Sequence, residues 1–307
     1  MTQTQQVYPL EMLHPAAPGV RGAIDIHCHA NEGQQDALEV AKRASENGMR
    51  GIVFKSIVGR DRPVEGVQRV RDALQEWADK EGVKPVECWA GAYRGFPDPK
   101  RLREQLDGGV KIFWMPTARS ANSLNKDSKT GGRPAMPWEE AVKVGDYLLD
   151  DAGKLKPEIR DVIHMIAEYD RAFSFGHASH QEIDALANEV HKISFKKAFV
   201  DHPHSPYVDV SVDGMKALAG MGVSINFCYD ELSPRLRVDP HKMYDAIRAV
   251  GVEHCILSSD GGDPTNPDSV ECIRLIRSYM KECGLTDDEL RQVSCTNPGF
   301  IVGVDPE

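Results

Sequence analysis

The sequence is short of positive charge. Its 307 residues hold 37 Lys and Arg against 47 Asp and Glu, a formal net charge of -10 at pH 7. Nucleic-acid binders carry the opposite footprint, a basic patch, so no nucleic-acid partner is expected. One local cluster can still oppose the global sign, so the charge says little about a small substrate. Long apolar runs are missing as well. Crossing a bilayer takes about 20 apolar residues; no stretch qualifies, and no membrane partner is expected. Residues 1–22 hold no basic segment followed by an apolar one, so no secretory leader is expected. The cysteines are unpaired in sequence: Cys28, Cys88, Cys228, Cys255, Cys272, Cys283 and Cys295 form no CxxC. Several lie in apolar, strand-like runs, where cysteine acts as a small hydrophobe. This fits a reduced cytoplasm better than a disulfide framework. Internal repeats, low-complexity runs and flexible linkers are absent too.

What is present is alternation. Apolar, β-rich runs read as strands at Gly22–His29, Gly51–Lys55, Pro85–Tyr93, Val110–Pro116, Ala172–His177, Lys197–His202, Val223–Cys228 and His254–Asp260. Between them, apolar residues at helical spacing predict helices at Asp36–Asn47, Val64–Lys80, Pro99–Leu106, Glu158–Tyr169, Gln181–Lys192, Val212–Met221, from Pro240, and Asp268–Glu282. Gly48 closes the first helix. Asp239 caps the helix that Pro240 opens, and a last helix starts at Thr286 with Glu289 completing a capping box. The alternation pauses between Thr117 and Pro157, too long for a plain connection. Residues 118–156 therefore read as an insertion or cap within one domain of residues 1–307, with a hairpin at Val144–Leu155 turning at Asp150–Gly153. Eight strand–helix units predict an α/β fold, a (β/α)8 TIM barrel with its active site at the C-terminal strand ends. An open doubly wound sheet is the alternative, weakened because no GxGxxG follows the first strand.

The stretch Asp25-Ile26-His27-Cys28-His29 organises the functional reading. On a strand, Ile24 and Ile26 face one way and Asp25, His27 and His29 the other. Two imidazoles on one face can converge on one metal ion. Other strand ends add polar groups: Lys55 on the second, His177 on the fifth, His202 on the sixth and Asp260 on the eighth. A lone histidine is usually a packed or surface residue; four histidines and an aspartate at these ends are hard to explain that way. The expectation is a metal centre built from His27, His29, His177, His202 and Asp260. Asp25 lies deeper and reads as support behind the ligands.

These residues resemble the pattern of the amidohydrolase superfamily of metal-dependent hydrolases. That pattern has His-x-His on strand one, often a carboxylated lysine on strand four, histidines on strands five and six, and an aspartate on strand eight. The ending Asn297-Pro298-Gly299-Phe300 is also similar. More narrowly, the chain resembles an uncharacterised amidohydrolase-like family in Gly51–Ser56, Trp114–Thr117, Phe175–His177, Asp201–Pro203 and Leu257–Asp260. One departure concerns the lysine. Lys111 is on strand four but near its start, and reads as a structural residue at the barrel floor. Lys55 is at the mouth, on strand two. Two roles fit it: a carbamate bridging two metals, or an ammonium binding an anionic substrate.

The implied cofactor is Zn2+, as one or two ions, with Mn2+ or Fe2+ as alternatives. Held by His27, His29, His177 and Asp260, with His202 on it or on a second ion, it would lower the pKa of bound water to about 7. Asp260 would take the water's proton and pass it to the leaving group. The expected reaction is hydrolysis of an amide, cyclic amide, lactone or ester in a small molecule. The rivals are a decarboxylase, lyase or hydratase acting on a small carboxylic acid, a phosphoester hydrolase, and a non-catalytic metal-binding protein. Arg94, Arg119, Asn122, His180 and His204 follow strand ends and are the candidates for contacting substrate. A homo-oligomer is compatible with the sequence.

Overall fold

The computed structural model describes residues 18–31, 33–57, 62–92, 99–126 and 135–305. Arg94, with Tyr93, lies outside the described residues. The strands are β1 Ile24–Ala30, β2 Gly51–Ile57, β3 Glu87–Ala92, β4 Ile112–Trp114, β5 Ala172–Ser174, β6 Ala198–Asp201, β7 Val223–Cys228 and β8 Cys255–Ser258. They pair in chain order into one eight-stranded sheet. The ring closes just past β8, where Cys28 bridges Gly261 in parallel and the His29 N–H donates to the Gly261 carbonyl at 2.9 Å. This is the expected (β/α)8 barrel. Helices cover the outside, so the strands are buried on both faces; all seven residues of β2 are buried.

Two apolar clusters follow. Ile26, Val53, Trp89, Trp114, Phe199 and Ile256 belong to one inside the ring. A larger one lies between strands and helices and includes Cys28, Phe54, Phe173 and Leu257. Cys28 thus packs outward as a small hydrophobe. The alternation expected of β1 is broken. Asp25 is opposite Ile52 and Cys28 opposite Phe54, so β1 carries one extra residue between them. This bulge lets Ile26 and His27 both serve the interior: Ile26 joins the inner cluster, and the His27 ring lies 5.4 Å from that of Trp114. Asp25 does not share their face. Its carboxylate accepts from the Ser259 N–H at 3.1 Å and hydroxyl at 2.6 Å, latching β1 to the chain just after β8.

The helices start where their capping residues sit. The Asp36 carboxylate accepts from the N–H groups of Leu38 and Glu39 at 2.9 Å each. Ser179 with Glu182, and Thr286 with Glu289, form capping boxes. Among its described residues the insertion holds two short helices, Ala121–Asn125 and Trp138–Val144. Its expected hairpin reduces to a single antiparallel bridge, Leu149 to Leu155. Lys111 is a floor residue: its Nζ donates to the Val302 carbonyl at 2.8 Å, capping the last helix, Asn297–Val302. No helix among the described residues is long and apolar enough to cross a membrane.

Candidate metal centre

His27 and His29 reach the barrel mouth from β1. His27 Nε2 lies 3.0 Å from Asp260 Oδ1 and 2.8 Å from Lys55 Nζ. His29 Nε2 lies 3.0 Å from the same Asp260 oxygen. Three donor atoms therefore crowd one point. Tetrahedral ligands at about 2.0–2.1 Å from a zinc ion would sit about 3.3 Å from each other, close to the spacing from Asp260 to each imidazole, so the donor set fits a divalent metal. The His202 ring is 6.0 Å from that of His27 and 5.1 Å from that of His177. His177 stacks on Tyr207 at 4.9 Å. The fold thus brings together His27, His29, Lys55, His177, His202 and Asp260.

Every one of the four imidazoles is held through its Nδ1. His27 Nδ1 pairs with Asp201 Oδ1 at 3.1 Å. His29 pairs with the Ser56 hydroxyl at 2.8 Å, His177 with Ser123 at 2.7 Å, and His202 with Ser205 at 3.0 Å. Such partners orient a ring and leave Nε2 as its outward atom. A second set of donor atoms, His27, Asp201 and Cys228, also lies close together. It is not a metal site. The Asp201 oxygens are already hydrogen-bonded to four side chains, which leaves no carboxylate oxygen free for an ion, and burial pushes the Cys228 thiol well above its ordinary value.

The electrostatics separate the groups. Burial disfavours charge on His27, but Asp260 and Asp201 outweigh burial and Lys55 and hold its pKa at about 9. Burial pulls His29 down to about 4 despite Asp260. Burial, His202 and Lys55 hold His177 well below its ordinary value. Burial would raise Asp260, but His27 and His29 hold it well below the carboxylate range. Asp260 as a carboxylate and His29 and His177 as neutral imidazoles suit a cation, whereas His27 would give up its Nε2 proton to bind one.

Three of these residues are not within strands. β6 ends at Asp201 and β8 at Ser258; His202 and Asp260 follow in left-handed backbone, at φ of 34° and 45°. Such conformations cost about 1–3 kcal/mol for residues other than glycine and gather at functional sites. His177 stands three residues past β5, after Gly176 at φ 60°.

The substrate candidates fare differently. Asn122 is buried, and its amide donates to the carbonyls of His177, Ala178 and Tyr207, bracing the loops after β5 and β6. Arg119 is exposed, 4.0 Å from Asp146. His180 is exposed and pairs with the Val208 and Asp209 carbonyls at 3.1 Å. The contacts of these three side chains lie within and between loops rather than at the cluster. His204 is buried beside Phe227, with Nδ1 3.5 Å from Glu231 Oε1. Sequence reasoning missed Asp201, and also Arg235, which bridges Asp230 at 2.6 Å and Asp263 at 2.8 Å across the loops after β7 and β8. The signal for Asp201 was its place: it alternates with inward Phe199 on β6.

The sequence matches a family of unknown function, DUF6282, over residues 22–226. The chain belongs to DUF6282. The matched span runs from β1 into β7, so it contains His27, His29, Lys55, His177 and His202 but not Asp260. No curated protein matches the sequence. Among solved structures, this DUF6282 member is similar to the probable dipeptidase PvdM from Pseudomonas aeruginosa, with 13% identity over 96% of this chain and 98% of that one, at a TM-score of 0.59. An amidohydrolase from Pseudomonas aeruginosa shares 12% identity over 96% and 98% of the two chains, TM-score 0.54. N-acetyl-D-glucosamine-6-phosphate deacetylase from Mycobacterium smegmatis shares 16% over 92% and 76%, TM-score 0.51. At these identities the likeness is one of fold, and it agrees with the amidohydrolase resemblance read from the sequence.

Proposed function

We propose that this DUF6282 member is a metal-dependent hydrolase acting on an amide, cyclic amide, lactone or ester of a small molecule. The observation that carries the reading is the meeting of His27 Nε2, His29 Nε2 and Asp260 Oδ1 at one point, with His177 and His202 beside it. A divalent ion held there, Zn2+ or else Mn2+ or Fe2+, supplies Lewis acidity, acidifying water to a pKa of about 7 and polarising a carbonyl oxygen.

The chain's own residues do the rest. His27, His29 and Asp260 hold the ion, with His177 and His202 completing its shell or serving a second one. Asp260 accepts the proton of the attacking water and returns it to the leaving group. Lys55 Nζ lies 2.8 Å from the same His27 Nε2 that would face the ion; with Nε2 given to a metal, its ammonium would be available to an anionic substrate group.

The test loads purified protein with Zn2+, Mn2+ or Fe2+ and measures bound metal by mass spectrometry. The loaded protein then meets a panel of amides, cyclic amides, lactones, esters and phosphate esters, with carboxylic acids assayed for released CO2. Hydrolysis abolished by chelation is expected. Protein that retains no metal, or that releases CO2 and hydrolyses nothing, would refute the proposal.

A further inference from the structure

Beneath the cluster lies a layer of inward, buried side chains that take no part in holding the ion. Trp114 on β4, Ser174 on β5, Asp201 on β6 and Asn226 on β7 compose it. Asp201 is its centre. Its Oδ1 accepts from Asn226 Nδ2 at 2.6 Å and pairs with His27 Nδ1 at 3.1 Å. Its Oδ2 accepts from Trp114 Nε1 at 2.8 Å and the Ser174 hydroxyl at 2.5 Å.

Counting donors decides the roles. An indole N–H and an amide NH2 can only donate. Ser174 Oγ already accepts from the Gly176 N–H at 3.0 Å, so its proton goes to Asp201. These three fill three of the roughly four lone-pair positions of a carboxylate, and the fourth faces His27 Nδ1. Asp201 is therefore an acceptor throughout, and His27 Nδ1 is a donor. That leaves Nε2 as the ligand atom. The other imidazoles have no such constraint. Ser56, Ser123 and Ser205 present hydroxyls, which donate or accept.

We propose that Asp201 is a positioning residue: it selects the His27 tautomer and ties that ring to β4, β5, β6 and β7, so one carboxylate governs both metal affinity and the integrity of the opposite wall. The inference rests on reading the cluster as a metal centre. A partner behind a ligand typically sets metal affinity within about 10–100-fold. Removing a different bond of the same carboxylate loosens the wall and leaves His27 backed.

The experiment compares full-length wild type, Asp201→Asn and Ser174→Ala. Zn2+ affinity is read by competition with a chromogenic chelator, and the stability of each metal-free form by thermal unfolding. Asp201→Asn should bind Zn2+ about 10–100-fold more weakly, while Ser174→Ala should melt earlier yet keep its affinity within about threefold. A folded Asp201→Asn with wild-type affinity overturns the proposal. Wild type that retains no Zn2+ overturns the metal-centre reading instead. Nitrogen-15 NMR of the wild-type histidines decides the tautomer even if Asp201→Asn fails to fold. His27 Nδ1 should carry a proton in Zn2+-loaded protein, and a bare Nδ1 there overturns the proposal.

Discussion

Gly176 bears the sharpest stability prediction, because it delivers His177 to the mouth. Its φ is +60°, and a Cβ built on it would lie 2.3 Å from the Met115 carbonyl oxygen and 2.6 Å from that of Pro116. Gly176→Ala meets three costs. A left-handed alanine costs about 1 kcal/mol. Pushing the backbone after β4 away costs about 1–3 kcal/mol, as overpacking does. The His177 N–H bond to the Pro116 carbonyl, 3.0 Å long, is strained or lost at about 1 kcal/mol. The sum is about 4 kcal/mol, or roughly 6 °C in melting temperature for a chain of this size. Gly153→Ala is the control. That glycine has φ +74° with nothing within 4 Å of the added carbon, so only the conformational cost of about 1 kcal/mol remains. Urea unfolding of both metal-free variants measures the difference, expected near 3 kcal/mol, the close-approach part of the sum. Equal losses would refute the packing of Gly176 against the backbone after β4.

Other outcomes follow from other parts of the molecule. His27→Ala combined with His29→Ala should abolish metal content, read by mass spectrometry; full occupancy in that variant would break the site assignment. Glu182→Ala removes a buried carboxylate that accepts from Ser179 and from the Leu148 N–H at 2.9 Å. It should cost about 2 kcal/mol in denaturant unfolding, through a lost cap and an orphaned donor; an unchanged midpoint would contradict this. Thiol titration of native protein should find Cys283 before the others, since it alone is not buried; burial also pushes Cys88 up to about 12. Rapid reaction of more than one thiol would count against the burial of the rest. Glu289 is held down to about 2 by its bond from Arg248. A lowered carboxyl stabilises the fold above its unfolded pKa and loses that stability as pH falls toward the folded value. Glu289→Gln should therefore cost about 0.5 kcal/mol at pH 7 after surface screening and nothing near pH 2; a pH-independent loss would point to packing instead.

The barrel was legible because each strand core is a short, β-rich run between helices with recognisable caps. Strand ends were less so. β5 reads to His177 but stops at Ser174, because the chain turns through left-handed Gly176. The β1 bulge had no marker in its own residues; it exists only in register against β2. The histidines, Lys55 and Asp260 could be found by their places after strands. Whether a polar group at the mouth meets substrate or braces a loop could not, since that depends on distances between loops. Asn122 shows this, spending its amide on three carbonyls. Asp201 was overlooked because a carboxylate beside a histidine looks like a neighbour until the inward face of β6 is followed.

The closure of the ring has a consequence for assembly. Asp25 grips Ser259 across 234 positions of chain, and His29 meets Asp260 across 231. Contacts of such separation form slowly, after large loop-closure costs. During synthesis the β1 histidines are made about 231 positions before their carboxylate partner, so the cluster is expected to form only after β8 has emerged. A nascent or C-terminally truncated chain would expose β1 without a seam to close on, and capture of an ion would report completion of the barrel.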